Sequence, residues 1–233
     1  MIIGILEAED MPEDVIQRYG RYAAAFERLL TDVDPQLSFR TYQVTRQEFP
    51  PHIDDCDAYI VTGSKFSCYE DLPWIHRLKQ FVVECLEHQK KLIGICFGHQ
   101  LIAEALGGAV KQHDEGWGIG LACSEVIHAP KWLSPKQDTF NLLVSHHDQV
   151  TRLPDDASLI ATNEFCPISG YQVDHTVLTF QGHPEFDRDY VKYLMKKCRE
   201  DIGEQTYQQA KKSLQQCEDH EVVAKWIVNF IKS

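Results

Sequence analysis

Short apolar runs alternate along the chain with longer segments in which apolar residues recur every three or four positions. A short run bounded by turn residues is typical of a buried strand, whereas the longer spacing is typical of a helix with one buried face. The spacing predicts helices at residues 15–30 and 72–87, and Pro73 suits the first turn of the second helix. The runs predict strands at residues 2–6, 38–44, 58–61, 92–95, 142–144, 158–161, 168–173 and 177–181.

This order of elements predicts the fold class. Strands that alternate with helices imply parallel pairing, so the first half predicts a layered α/β domain. The second half is richer in strands and is expected to add an antiparallel extension to the sheet. In such sheets the active site lies beyond the carboxyl ends of the strands. No linker, repeat or low-complexity tract interrupts the sequence, which predicts a single domain over residues 1–233.

The last part of the chain, from about residue 201 to 233, is predicted to form an appendage of C-terminal helices. Residues 205–217 are polar with a helical pattern, and residues 222–231 carry an amphipathic stripe. The stripe consists of Val223, Trp226, Ile227 and Phe230. We expect it to dock on the domain, and contact with another subunit is the alternative.

Composition excludes several function classes. A formal net charge of −12 argues against a nucleic-acid partner, because phosphate binding needs a basic face. No apolar run reaches the length of a membrane span, and the first residues lack the features of a signal peptide. The 8 cysteines form no CxxC pair and have no regular spacing, so we expect reduced thiols in a cytoplasmic protein.

The candidate chemistry centres on Cys96, in the run Gly94-Ile95-Cys96-Phe97-Gly98. This Gly-x-Cys-x-Gly pattern follows a predicted strand and precedes a helical stretch, which is the layout of a nucleophile elbow. The N-terminus of the following helix favours a thiolate at the cysteine. For an isolated motif, a buried core cysteine at a strand end is the alternative interpretation.

A second motif, Gln181-Gly182-His183-Pro184-Glu185, supplies the partners that such a cysteine needs. A base must take the thiol proton, and a third group must hold the base in place. Residues two apart in an extended chain point the same way, and Pro184 biases His183 towards that conformation. We therefore predict a Cys96–His183–Glu185 triad, against the alternative of a surface turn.

The two motifs together resemble the class I (triad) glutamine amidotransferases, in particular the free-standing GMP-synthetase-like glutaminase domains, a group that includes the plant γ-glutamyl peptidases. Residues 57–64 resemble the family's oxyanion strand and loop, and residues 143–150 resemble its substrate-holding segment. The resemblance covers about residues 1–190. It implies a flavodoxin-like layered sheet with helices on both faces, a mostly parallel core and an antiparallel extension.

The resemblance also implies a role for each matching residue. Cys96 would attack a γ-glutamyl amide and form a γ-glutamyl thioester, while His183 moves protons and Glu185 orients it. The backbone N–H groups of Ser64 and Phe97 would hold the oxyanion. The residues implied to hold the glutamyl group are Gly63, Gln100, Ser145, His147 and Asp148. No cofactor is implied, and His146-His147 lacks further ligands at zinc spacing, so no metal is expected.

Two positions depart from the family's pattern. Its oxyanion loop usually reads Gly-Gly-Pro, whereas this chain has Gly63-Ser64-Lys65-Phe66, and a serine is costly if that position needs a positive φ. His147 replaces a glycine of the GMP synthetases and would narrow or reshape the glutamyl pocket. Both changes put free glutamine in doubt as the substrate. Residues 65–71 are expected to line the cleft or cap the next helix, and Trp117 is expected to pack rather than bind.

Three functions stay open. The first is a free-standing enzyme that hydrolyses γ-glutamyl amide or peptide bonds of small molecules. The second is a glutaminase subunit that supplies ammonia to a separate synthetase subunit, because this chain carries neither a synthetase region nor a P-loop. The third is a non-catalytic binding or regulatory protein, which the intact triad disfavours.

Overall fold

A large mixed sheet with helices on both sides organises the protein, as shown by a computed structural model that describes residues 1–233. The strands are β1 (Ile2–Glu7), β2 (Ser38–Gln43), β3 (Ala58–Val61), β4 (Lys91–Ile95), β5 (Ala109–Gln112), β6 (Gly118–Val126), β7 (Thr139–His146), β8 (Asp148–Arg152), β9 (Ala157–Thr162), β10 (Gly170–Val173) and β11 (Val177–Phe180). Nine of them form one sheet in the order β2-β1-β3-β4-β11-β10-β9-β6-β7, and β5 pairs with β8 separately.

The pairing within the large sheet changes from parallel to antiparallel at β11. Strands β2, β1, β3, β4 and β11 pair in parallel, and β11, β10, β9, β6 and β7 pair antiparallel. The predicted parallel core with an antiparallel extension is therefore confirmed. Strands β5, β6 and β8 were not predicted, because polar residues and glycines interrupt their apolar pattern.

The helices agree with the sequence pattern except near the N-terminus and at residues 188–197, where no helix was predicted. They are α1 (Glu13–Tyr19), α2 (Tyr22–Val33), α3 (Pro73–Glu87), α4 (Phe97–Ala105), α5 (Arg188–Lys197), α6 (Arg199–Ser213) and α7 (His220–Lys232). The predicted single helix at 15–30 is wrong, because Gly20 ends α1 with a φ of 81° that no continuous helix adopts. The polar helix predicted at 205–217 begins earlier, at Arg199, and is kinked at Gly203.

The C-terminal stripe docks on the sheet, as expected. Val223, Trp226, Ile227 and Phe230 are fully buried, and they share one core cluster with residues of β1, β3 and α2. Burial leaves none of these four side chains available to another subunit. On the opposite face of the sheet, α3 and α4 cover a second core cluster. None of the helices has both the length and the apolar character needed to cross a membrane.

Parallel pairing determines where the chemistry-bearing segments meet. Because β1, β3, β4 and β11 run in the same direction, the residues that follow them gather at one edge of the sheet. Glu9 follows β1, Ser64 follows β3, Cys96 follows β4, and His183 follows β11. This edge carries the candidate site.

Candidate active site

Cys96 occupies a strained turn between β4 and α4. Its φ of 52° and ψ of −102° lie where side-chain-bearing residues rarely occur, and such a conformation costs about 1–3 kcal/mol. Two residues later the backbone passes close to β3, because a Cβ on Gly98 would lie 2.3 Å from the carbonyl oxygen of Val61. The start of α4 therefore rests directly on β3. The turn presents a nearly buried thiol, 5% exposed, at the N-terminus of α4.

His183 is held from several sides. Its Nδ1 lies 2.7 Å from Oε1 of Glu185, and its backbone N–H donates to the carbonyl oxygen of Leu143 at 2.8 Å. The imidazole stacks on Phe186 with ring centroids 3.6 Å apart and planes inclined by 8°. The Cε1 edge of the ring faces Gly63, where an added Cβ would be only 2.7 Å away. The position of the ring is thus determined by packing as well as by its hydrogen bond.

The electrostatics of His183 favour its protonated form. Burial lowers the pKa of His183, but the negative charges of Glu185 and Cys96 outweigh burial and raise this pKa to about 10. Glu185 is itself buried, so water screens its charge poorly. An imidazolium between a carboxylate and a sulfur is suited to protonate a leaving group and then to accept a proton from water.

The expected oxyanion donors come from the loop after β3 and from the first residue of α4. The backbone N–H of Ser64 donates no hydrogen bond within the protein, and Phe97 is the first residue of α4, whose leading N–H groups lack intrahelical acceptors. Ser64 does not have a positive φ, so serine at this loop position carries no backbone strain. The departure from Gly-Gly-Pro therefore leaves the donor available.

A buried carboxylate after β1 anchors this loop. Glu9 accepts a hydrogen bond from the Lys65 backbone N–H at 2.7 Å and pairs with the Lys65 ammonium at 3.1 Å. The side-chain oxygen of Ser64 accepts from the backbone N–H of Phe66 at 3.2 Å. No sequence signal indicates a role for Glu9, because it follows an apolar strand without a recognisable motif.

A cavity of about 370 Å³ opens over Cys96. The predicted site residues that line it are Ser64, Cys96, Gln100, Ser145, His147, Asp148 and His183. Three others lie behind its surface. Gly63 supports the edge of the His183 ring, Glu185 lies beneath that ring, and the side chain of Phe97 belongs to the core.

Several hydrogen bonds hold Asp148 on the polar side of the cavity. Its carboxylate accepts hydrogen bonds from Ser67 at 2.6 Å and Tyr69 at 3.1 Å, so segment 65–71 lines the cleft. The amide nitrogen of Gln100 donates to the backbone carbonyl of Asp148 at 2.8 Å and to the side-chain oxygen of Gln181 at 3.1 Å. Gln100 therefore fixes the Asp148 segment, and the carboxylate faces the cavity.

His147 is fixed against the wall of the cavity. Its ring stacks on Trp117 with centroids 5.2 Å apart, and its Nδ1 accepts a hydrogen bond from the Gln112 side chain at 2.7 Å. Trp117 thus packs, as expected, but it also lines the cavity. The preceding residue, His146, is buried, and burial lowers its pKa to about 4.

The apolar half of the cavity comes from α1 and α5. Met11 and Val15 face it from the N-terminal side, and Phe186 with one face of α5 forms the opposite wall. No motif in the sequence indicates that these residues line a cavity. The only available signal was the amphipathic spacing of residues 186–197, which indicates a buried helix face without showing what that face contacts.

A family model for class-I glutamine amidotransferases matches residues 15–195. The chain is 31% identical over 244 aligned positions to a glutamine amidotransferase-like protein of Schizosaccharomyces pombe, covering 98% of each chain. It is 32% identical over 178 positions to gamma-glutamyl peptidase 4 of Arabidopsis thaliana, covering 73% of this chain and 70% of that protein.

Solved structures share the fold. A glutamine amidotransferase of Thermotoga maritima superimposes with a TM-score of 0.73 at 20% identity, covering 99% of this chain and 95% of that chain. A glutamine amidotransferase from Methylobacillus flagellatus gives a TM-score of 0.70 at 21% identity, covering 98% and 94%. At these identities the likeness establishes the architecture alone.

Proposed function

The chain belongs to the class-I glutamine amidotransferase family, and on that premise we propose that it hydrolyses γ-glutamyl amide bonds through a thioester on Cys96. The observation that carries this proposal is the convergence of three features on one cavity. They are the thiol of Cys96, the His183–Glu185 pair and the unpaired N–H of Ser64.

The first half-reaction forms the thioester. The Cys96 sulfur attacks the carbonyl carbon of the γ-amide, and the carbonyl oxygen becomes an oxyanion between the N–H groups of Ser64 and Phe97. Each such donor contributes about 3 kcal/mol to the transition state. The carbon–nitrogen bond then breaks as His183 gives its proton to the leaving amine. Glu185 keeps the imidazole oriented through the 2.7 Å hydrogen bond.

The second half-reaction releases glutamate. Neutral His183 takes a proton from a water molecule, whose oxygen attacks the thioester carbon. The carbon–sulfur bond breaks, and Cys96 and protonated His183 are regenerated. The carboxylate of Asp148 faces the cavity and is suited to the α-ammonium group of the glutamyl moiety, as its hydrogen bonds to Ser67 and Tyr69 hold it in place.

The substrate is better described as a γ-glutamyl compound than as free glutamine. A relative named gamma-glutamyl peptidase shares 32% identity with this chain, and the cavity has an apolar half beyond the thiol. A reaction that releases only ammonia from glutamine does not need this apolar half of the cavity. Supply of ammonia to a separate synthetase is the competing function, and it predicts glutamine turnover that rises when that partner is added.

The test is glutamate release by the purified chain, offered glutamine and a γ-glutamyl dipeptide separately. Cys96→Ala is expected to lower turnover of the preferred substrate by about 10⁴-fold or more, because the nucleophile is lost. Cys123→Ala removes an exposed thiol elsewhere and serves as the matched control. Mass spectrometry of acid-quenched wild type should detect one γ-glutamyl group that is absent from Cys96→Ala. Normal turnover by Cys96→Ala would refute the mechanism.

A further inference from the structure

One face of α5 forms a wall of the cavity. Tyr190, Tyr193, Leu194 and Lys197 all line it, and their spacing of three, four and seven residues places them on the same side of the helix. The face begins with aromatic side chains, continues with an apolar one and ends with a cation. Bond cleavage by Cys96 and His183 uses no residue of this face.

The aromatic end of this face lies beside the group that would protonate the leaving amine. Phe186 stacks on His183 at 3.6 Å, and Tyr190 packs edge-on against Phe186 with ring centroids 4.9 Å apart. Met11, just before α1, and Val15 of α1 line the same cavity. An amine that leaves after protonation by His183 therefore enters an apolar space between α1 and α5.

The other end of the face carries an unpaired positive charge. Two lysines line the cavity, and Glu9 neutralises Lys65 at 3.1 Å. Lys197 is exposed and takes part in no ion pair, although the chain has a formal net charge of −12. An exposed lysine with no acidic partner at a cavity is a suitable anchor for a carboxylate of the ligand.

The length of the face limits the size of the ligand. Seven residues of helix separate Tyr190 from Lys197, which corresponds to about 10 Å along the axis. An extended peptide advances about 3.4 Å per residue, so this distance matches a leaving portion of about three residues, or of two residues when the flexible side chain of Lys197 reaches back along the face. Ammonia is too small to contact both ends of this face.

Resting on the proposed function, we propose that the α5 face is a subsite for the leaving amine. The favoured substrates are γ-glutamyl peptides whose leaving portion has two or three residues, an apolar side chain and a free terminal carboxylate. Leu194 and the aromatic residues contact the apolar side chain, and Lys197 binds the carboxylate. Lys197 is thus a specificity-determining residue that does not take part in bond breaking.

The experiment compares γ-Glu-Leu-Gly with its C-terminal amide, with glutamine as the third substrate, by kcat/KM for glutamate release. Wild type should prefer the acid over the amide by roughly two- to fivefold, the range expected of an exposed ion pair. Lys197→Met keeps the aliphatic stem and should bring this ratio to about one. Lys196→Met changes an exposed lysine of the same helical turn outside the cavity and should keep the wild-type ratio.

Salt provides a second readout, because 1 M NaCl screens an exposed ion pair and should reduce the acid preference of wild type alone. The subsite would be overturned if wild type cleaved acid and amide equally. It would also be overturned if Lys197→Met lowered kcat/KM for glutamine as much as for the acid, since Lys197 would then hold the glutamyl group. If wild type cleaved none of the three compounds, the proposed function would be refuted, and the subsite with it.

Discussion

Substitution of Gly63 by alanine tests whether packing, and not only hydrogen bonding, positions His183. An alanine Cβ at this position would lie 2.7 Å from Cε1 of His183 and 3.6 Å from each ring nitrogen. The new atom therefore meets the ring edge-on, midway between the nitrogens. Gly63 has no positive φ, so the alanine backbone itself is not strained.

The size of the effect follows from the directions in which the ring can move. Ordinary contact begins at 3.4 Å, so the ring must retreat by about 0.7 Å. Phe186 blocks one face at 3.6 Å, and Glu185 holds Nδ1 at 2.7 Å, so the movement must follow the plane of the ring towards its own backbone. A misplacement near 1 Å can cost about 100-fold in rate, so kcat should fall about 10- to 100-fold. Overpacking should cost about 1–3 kcal/mol of stability.

The assay is kcat for glutamate release at saturating substrate, with the free energy of unfolding measured by urea titration on the same preparations. Gly4→Ala is the matched control, because its Cβ would meet the Tyr59 ring at 2.4 Å inside the sheet and away from the cavity. It should lose stability while keeping kcat per folded molecule. A folded Gly63→Ala protein with wild-type kcat would show that packing against Gly63 does not position His183.

Two further predictions concern stability. Burial lowers the pKa of His183, but Glu185 and Cys96 raise it to about 10, so the native state keeps a proton that the unfolded chain releases above about pH 6.5. The free energy of unfolding should fall between these pH values by up to about 1.4 kcal/mol per pH unit. Glu185→Gln should make this decrease with pH smaller. Urea titrations that give the same pH dependence for wild type and Glu185→Gln would contradict this. Trp226→Ala should cost about 3–5 kcal/mol, because the ring is fully buried and its N–H donates to Pro135 at 2.8 Å. The half-buried Trp132→Ala should cost less, and equal losses in both variants would argue against core packing by α7.

The sequence predicted those parts of the fold that rest on uninterrupted local patterns. The strand at 58–61 and the helix at 72–87 are uniformly apolar or strictly periodic, and both are found within one residue of the predicted bounds. The single helix at 15–30 failed because periodicity continues through Gly20, whereas the backbone turns there. Strand β6 was not among the predicted strands because glycines and polar residues interrupt its apolar pattern, although it pairs with β7 over eight positions.

The candidate site also has residues that local motifs predict and residues that they do not. Cys96 and His183 are adjacent in space because the strands they follow, β4 and β11, are paired in parallel, and each lies in a recognisable motif. Glu9 and Lys197 reach the cavity only through the packing of β1 and α5, which depends on contacts distant in sequence. The hydrogen bonds of Gln100 to Asp148 and Gln181 likewise could not be inferred from a motif that assigns Gln100 to the substrate.

A single backbone contact explains why the elbow motif and the oxyanion loop belong together. The close approach of Gly98 to the Val61 carbonyl, 2.3 Å for an added Cβ, fixes the start of α4 against the end of β3. Phe97 immediately precedes one partner of this contact, and Ser64 lies three residues after the other. This contact therefore joins the segment that carries Cys96 and Phe97 to the strand that leads to Ser64. A larger residue at position 98 would push the start of α4 away from the end of β3, so it is expected to move Phe97 relative to Ser64.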